Sequence, residues 1–378
     1  MKKLVPITFM VILTLTLAFA GCGGGNGTTP PHTPNDDQIS GFVYVTNGLN
    51  NISGYTINAT TGKLQEIGGS PFTTDSGPIS VTADPNGKFI YVANKNSGNI
   101  SAYTINTTTG ALSPILGSPF PAGAGPISVT VDPNGKYLYV ANSGDGINPG
   151  EISAYTIDST TGALALISGS PFSAGIYPFL VVADPLGRYV YAANLLGNNI
   201  SAYTINSGGV LAPVTGSPFS AGTKPVSVAV DPTGKFVYVA NFNSTNILAY
   251  TINSSSSELL SPIIGSSFLD ISNFVSVTVN PTGRFVYALN QDPTGESSGI
   301  SAFTINSGGV LSPVTGSHLK TGSDPALAAI DPNGNFIYVT NSYGILIYRI
   351  NSTFGTLTAI SGGSLVSNPS SIITVKKK

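Results

Sequence analysis

Few side chains in this sequence are equipped for chemistry. Of its 378 residues, 8% are charged, two are histidine and one is cysteine. A base-catalysed reaction would draw first on His318, the one histidine beyond the N-terminal 40 residues, because an imidazole exchanges protons near neutral pH. Carboxylates could activate a water instead. Asp145 and Glu151 lie in the stretch NSGDGINPGE, and Asp292 and Glu296 in NQDPTGE, each of which occurs once. Lys95, Lys224 and Lys320 could meet an anionic ligand. None of these residues stands in a motif that names a reaction: there is no G-x-S-x-G elbow, no H-E-x-x-H, no Walker loop and no G-x-G-x-x-G leading into a helix. Asp145-Gly146-Ile147-Asn148 lacks the ligand count and spacing of an EF-hand loop. Two histidines cannot build a His-rich centre, so the sequence predicts no metal and no cofactor.

The composition says what kind of scaffold must hold these groups. Charge is far below the roughly 25% of an ordinary soluble domain, and the net charge of −2 provides no field to attract nucleic acid. Hydrophobic residues make up 41%, with 45 Gly, 27 Pro, 17 Tyr and 17 Phe. That mixture suits short strands joined by many turns. A single cysteine allows no intrachain disulfide.

The N-terminus reads as an export signal. Met1-Lys2-Lys3 is basic, Leu4 to Ala20 is almost wholly apolar, and Gly21-Cys22 follows. The arrangement resembles a bacterial lipoprotein signal, in which Cys22 would become the acylated N-terminus. It departs from that pattern at Phe19, where Leu is usual, and Ala18-Phe19-Ala20 also reads as an ordinary cleavage site of a soluble secreted protein. The lipid-anchored reading is preferred because the chain's single cysteine stands at this spot, and it makes a membrane of the bacterial cell envelope the first partner. Residues 23–40 (GGGNGTTPPHTPNDDQIS), His32 among them, form a polar Gly/Pro-rich tether with nothing to bury.

Beyond the tether one phrase returns seven times, at Tyr44, Tyr91, Tyr139, Tyr191, Tyr238, Tyr287 and Tyr338, as YVTN, YVAN, YAAN or YALN. Its spacing of 47 to 52 residues matches a four-stranded propeller blade and is half of what an immunoglobulin-like sandwich needs. Each period reads as four strands, A to D: in one repeat, residues 126–131, 137–141, 152–157 and about 163–167. Asp-Pro-x-Gly stands between A and B at Asp84, Asp132, Asp184, Asp231 and Asp331, with Asn280 in the remaining copy, which is type I turn chemistry. Thr-Thr-Gly or Ser-Gly-Gly turns join C to D, and Ser-Pro-Phe follows D; His318 occupies the Ser-Pro-Phe slot of its repeat. The body opens at a strand B, residues 42–46, and ends on an unpartnered A-like strand, residues 371–375. Blade one should therefore be assembled from both termini, leaving no open edge. The expected fold is an all-β, seven-bladed β-propeller of four-stranded antiparallel blades over residues 41–375, a monomeric body with a basic tail at 376–378.

YVxN, then S-A-Y-T-I-N, T-T-G-x-L, G-S-P-F and P-x-S-V-x-x-D-P-x-G-K/R, repeated over residues 41–375, resembles the YVTN-repeat, lactonase-type seven-bladed propellers, among them 6-phosphogluconolactonase-like, muconate-cycloisomerising and surface-layer proteins. That resemblance implies the fold, and with it a lactone hydrolase as one possible activity. The repeated residues are scaffold, so they place no catalytic set.

Strand order puts the A–B and C–D turns on one face and the B–C and D–A loops on the other. Six near-copies of Asp-Pro-x-Gly belong to the scaffold, since one active site needs no such sixfold set. The B–C/D–A face is where repeats differ, and it gathers Asp75, Asp145, Glu151, Asp270, Asp292, Glu296, Asp324 and the three lysines. Variable loops on a rigid scaffold are where function concentrates. Three functions are predicted in order: a cell-envelope binding module for a glycan, peptide or protein; a lactonase-type hydrolase; a structural surface-layer-like protein.

Overall fold

The computed structural model describes residues 39–377, apart from 49, 243, 245, 256–257, 266–272, 293–296 and 365. The leader, Cys22, His32, Asp270 and Glu296 lie outside these residues. No helix among the described residues is long and apolar enough to cross a membrane.

The described residues form seven antiparallel sheets. The second is representative: inner strand A, Pro78–Ala83; B, Phe89–Asn94; C, Asn99–Ile105; and outer D, Leu112–Pro114. Strand B is buried along its whole length, FIYVAN, because it lies in the middle of a sheet covered by a blade on each side. Strand C is paired on both sides, with B and with the shorter outer strand, and its two partly exposed residues are the polar Asn99 and Thr104.

The outer strand adds to the sequence reading. Ser-Pro-Phe follows strand D as expected, but its Phe opens a further short strand on the same side of strand C. This second short piece, Phe120–Pro121, returns to the start of strand C, pairing Ile100 with Phe120. The serine explains the break. Where the outer strand lifts away, a strand C amide would lose its acceptor, and the serine hydroxyl supplies one: the Ala102 N–H donates to Ser118 Oγ, Ala154 to Ser170 and Ala202 to Ser217, each at 2.9 Å.

Three sets of repeated contacts join blade to blade. The tyrosine of YVxN donates to the carbonyl of the C–D turn glycine in the next blade: Tyr44 to Gly110 (2.7 Å), Tyr91 to Gly162 (2.9 Å) and, across the closure, Tyr338 to Gly62 (3.0 Å). Gly110 has φ +78°, and a Cβ there would lie 2.5 Å from Phe42 Cδ1, so only glycine serves. In sequence, blade 5 carries four serines, residues 254–257, where the other blades have that glycine turn, and the Tyr191 hydroxyl of blade 4 is buried with no partner. A second tyrosine, on strand C, bonds back to the outer strand of the preceding blade, as Tyr155 does to the Pro121 carbonyl at 2.6 Å. Burial pushes the hydroxyls of two such tyrosines, Tyr250 and Tyr348, up to about 12. The third set lies on the inner strands. Val81 N–H donates to Ser371 Oγ, Val129 to Ser80, Val181 to Ser128 and Val277 to Ser227, at 3.1–3.2 Å. Leu180 and Leu327 occupy the same place in the blades where this collar is interrupted.

The ring closes as predicted. Pro369–Lys376 lies antiparallel on Ile39–Asn47, with Phe42 opposite Val375 and Tyr44 opposite Ile373. The C-terminal strand is thus the inner strand of blade one, and seven inner strands surround an axial channel.

Candidate functional site at the channel mouth

All seven inner strands begin at the same end of the channel, so the residue leading into each of them stands on one ring around the mouth. In order from blade one these are Asn368, Gly77, Gly125, Tyr177, Lys224, Asn273 and Asp324. All seven have left-handed backbone, with φ between 49° and 74°. The chain arrives from the outer edge of one blade and must turn sharply down into the next. A single residue in this conformation makes that turn. Its carbonyl then accepts the first amide of the neighbouring B–C loop: Lys95 N–H to Gly77 (2.8 Å), Leu195 to Tyr177 (2.9 Å), Phe242 to Lys224 (2.9 Å). Both kinds of loop on this face are therefore tied to the lead-in position, which makes it a rigid place to display a side chain.

Glycine takes this conformation freely, and Asn or Asp tolerates it. Tyr177 and Lys224 do neither, and each precedes a proline, which pushes the residue before it toward extended backbone. The Lys224 amide is braced by Asn198 Oδ1 at 2.9 Å. Asp324 is held by Gln291 Nε2 (2.6 Å) and by the Ser342 hydroxyl (3.0 Å). Asp75 accepts from Asn99 Nδ2 at 2.6 Å, two residues before the Gly77 position.

Apolar side chains complete one side. Ile79, Ile127 and Phe179 are the second residues of the inner strands of blades 2, 3 and 4, and they join one apolar cluster with Tyr177. The corresponding residues in blades 7 and 1 are Ala326 and Ser370. In blades 5 and 6 they are Val226 and Val275, so this tier is apolar in blades 2–7 with its bulkiest side chains in blades 2–4, while the lead-in tier is polar from blade 5 round to blade 1, as Lys224, Asn273, Asp324 and Asn368.

The carboxylates suggested by sequence are not assembled here. Asp145 accepts the Ile147 and Asn148 amides (both 2.9 Å) and the Asn148 carboxamide (2.8 Å), and these bonds hold its carboxyl below the usual range. It shapes its own loop. Asp292 accepts the Ser297 amide (3.0 Å) and hydroxyl (2.6 Å) in the same way. Glu151 is exposed at the edge of strand C, Pro149–Ile157. Asp145 and Glu151 belong to blade 3, Asp292 to blade 6. Among the described residues no three His, Cys, Asp or Glu side chains come together to hold a metal. His318 is exposed on the outer edge of blade 6, its Nδ1 3.0 Å from Ser301 Oγ. Lys320 lies in the same outer strand, Leu319–Lys320. Of the three lysines only Lys224 stands on the ring, with Lys95 behind it in a B–C loop.

Sequence reasoning missed Tyr177, Phe179 and Gln291. A signal for Tyr177 was present. Aligning the seven repeats shows one column, before the inner strand, where Gly in two copies alternates with Tyr, Lys, Asn and Asp.

Comparison with known proteins agrees with this architecture. The lactonase, seven-bladed β-propeller family matches residues 36–124, 117–215, 180–263 and 263–374, almost the whole described body. The chain belongs to this lactonase propeller family. No curated protein sequence matches it. Among solved structures it is similar to the periplasmic gluconolactonase of Pseudomonas aeruginosa (TM-score 0.74, 19% identity, 89% of this chain and 99% of that one). It is equally similar to candidate 6-phosphogluconolactonases from Bacteroides uniformis (TM-score 0.73, 20% identity, 89% and 100%) and Bacteroides fragilis (TM-score 0.73, 21% identity, 92% and 100%). At such identities the likeness is one of fold, and the lactonase propeller's loops are free to differ.

Proposed function

We propose that this lactonase-family propeller is a lactone hydrolase of the bacterial cell envelope, with its site at the channel mouth. The carrying observation is membership of that family along residues 36–374, in a chain that sets Lys224, Asn273, Asp324 and Asn368 on the ring of lead-in positions. Hydrolysis adds a water oxygen to the lactone carbonyl carbon and breaks the acyl–oxygen bond of the ring. One water proton ends on the ring oxygen, now a hydroxyl, and the other is released from the new acid. In this reading Asp324, whose carboxylate accepts from Gln291 and Ser342, takes the proton from water. Lys224, on the same ring, stabilises the oxyanion that forms. Export and a lipid on Cys22 would hold the site outside the cytoplasm, a reading that rests on residues 1–22 and the tether.

The test is acid release from a panel of γ- and δ-lactones by the purified protein. Hydrolysis above background that falls about 100-fold in Asp324→Asn is expected. No hydrolysis of any lactone, with or without divalent metal, sinks this reading. A second reading, a binding module for a glycan, peptide or protein, is favoured by one observation: Asp145 and Asp292 are engaged within their own loops and do not converge.

A further inference from the structure

Two features of the mouth go beyond hydrolysis of a lactone in general. The first is strain. Gly77 and Gly125 fill the lead-in position at no conformational cost, whereas Tyr177 and Lys224 hold φ of 56° and 55° with bulky side chains. The turn itself does not need those side chains, because two blades make it with glycine. Their presence points to a use for the side chains. The second is asymmetry. Tyr177 and Phe179 cluster with Ile79 and Ile127. The same apolar arc reaches outward: a Cβ on Gly146 would lie 3.3 Å from Tyr177 Cδ2 and 3.8 Å from Leu196 Cδ1, and Leu196, in the B–C loop of blade 4, and Ile147, in that of blade 3, are 44% and 79% exposed. Facing this arc are Asn273, Asp324 and Asn368, and Lys224 is the one cation on the ring.

Building on the hydrolase reading, we propose that the substrate is a lactone bearing a hydrocarbon substituent, an alkyl chain or an aromatic ring. Its substituent lies along Tyr177, Phe179 and Ile79, which Ile127 backs from the core, and its carbonyl faces Lys224. A phosphorylated sugar lactone fits this mouth poorly. It presents hydroxyls on all sides, which would strip water from themselves against the apolar arc without gaining partners, and its dianion would meet a single lysine. A hydrocarbon substituent matches the arc, and the lactone ring matches the polar side.

The experiment compares δ-decalactone, glucono-δ-lactone and 6-phosphogluconolactone as substrates. In parallel it measures binding of 6-pentyl-2-piperidinone, the lactam that cannot be hydrolysed at a comparable rate. The expected result is a kcat/KM for δ-decalactone at least about tenfold above either sugar lactone. The lactam should bind, and Tyr177→Gly or Phe179→Ala should weaken it about tenfold or more, with Phe179→Leu retaining most of the affinity. Backbone strain adds a readout independent of ligand: Tyr177→Gly and Lys224→Gly should each melt about 2 °C above the matching Ala variants, since Gly alone relieves the left-handed backbone. Preference for the sugar lactones, or lactam binding untouched by Tyr177→Gly, overturns the substrate class and leaves hydrolysis standing. Lactam binding that depends on Tyr177, with no lactone hydrolysed, removes the hydrolase and keeps the apolar site. Gly variants no more stable than their Ala counterparts overturn the inference from strain.

Discussion

The two ends of the channel are built from loops of the same repeats and behave differently. At the turn face every aspartate does the same work. Asp132, 1% exposed, accepts the amides of Asn134 (3.1 Å), Lys136 (2.6 Å) and Tyr137 (2.7 Å), and Asp331 repeats the set with Asn333, Asn335 and Phe336. Asn280 accepts the Arg284 and Phe285 amides where its blade has no aspartate. At the mouth the backbone repeats but the side chains on it do not. Repetition at equivalent positions marks what each blade needs in order to fold. Variation at a position with fixed, costly geometry marks what this molecule needs for itself.

The comparison can be broken most forcefully through the scaffold. Deleting Ser371 to Lys378 removes most of the inner strand of blade one and exposes Val43 and Val45, which are fully buried. The melting temperature is expected to fall by more than about 10 °C. An unchanged thermal unfolding curve would mean that the ring does not close through that strand. A smaller effect separates the turn face from a catalytic reading. Asp132→Ala leaves three buried or half-buried amides without their acceptor and should cost about 2–3 kcal/mol in denaturant unfolding. Asp132→Asn should cost under about 1 kcal/mol, because Asn280 already does this work in blade 6, and neither should alter activity. A loss of activity in Asp132→Asn with the fold intact would place chemistry at the turn face after all. The smallest effect is local. The folded-state value of Asp145 is lowered by its loop bonds, so the stability it contributes is present above the usual carboxylate range and lost as pH falls through that lowered value. Amide exchange at Ile147 and Asn148 should quicken in acid at a pH that leaves the melting temperature of the body unchanged. Exchange that stays slow would show that something other than Asp145 shapes the loop.

The fold was legible because each of its determinants is local and repeated. A turn such as Asp-Pro-Asn-Gly, a strand such as Phe-Ile-Tyr-Val-Ala and their recurrence about every 50 residues specify a blade without reference to the rest of the chain. Even the closure could be read, because an unpartnered strand at one end matched a missing strand at the other. Ser-Pro-Phe was placed correctly after strand D, but its role was not legible because it depends on another strand's amide. The serine belongs to the outer edge, and only pairing shows that it fills a gap opposite Ala102.

The mouth was legible in part. Sequence assigned Lys224 and Asp324 to the B–C/D–A face, and both stand in its lead-in ring. It overvalued Asp145 and Asp292, whose carboxylates are drawn to amides and hydroxyls two to five residues away, a pull that acts before any substrate is present. It undervalued Tyr177 and Phe179, which read as ordinary strand residues. What the sequence alone determined is the blade, its turns and their number, because those follow from short-range sterics and hydrogen bonding. What only the tertiary structure decided is the mouth. Residues up to about 300 positions apart reach one ring only when seven blades close, and a left-handed lysine is recognisable as costly only when its backbone has been seen.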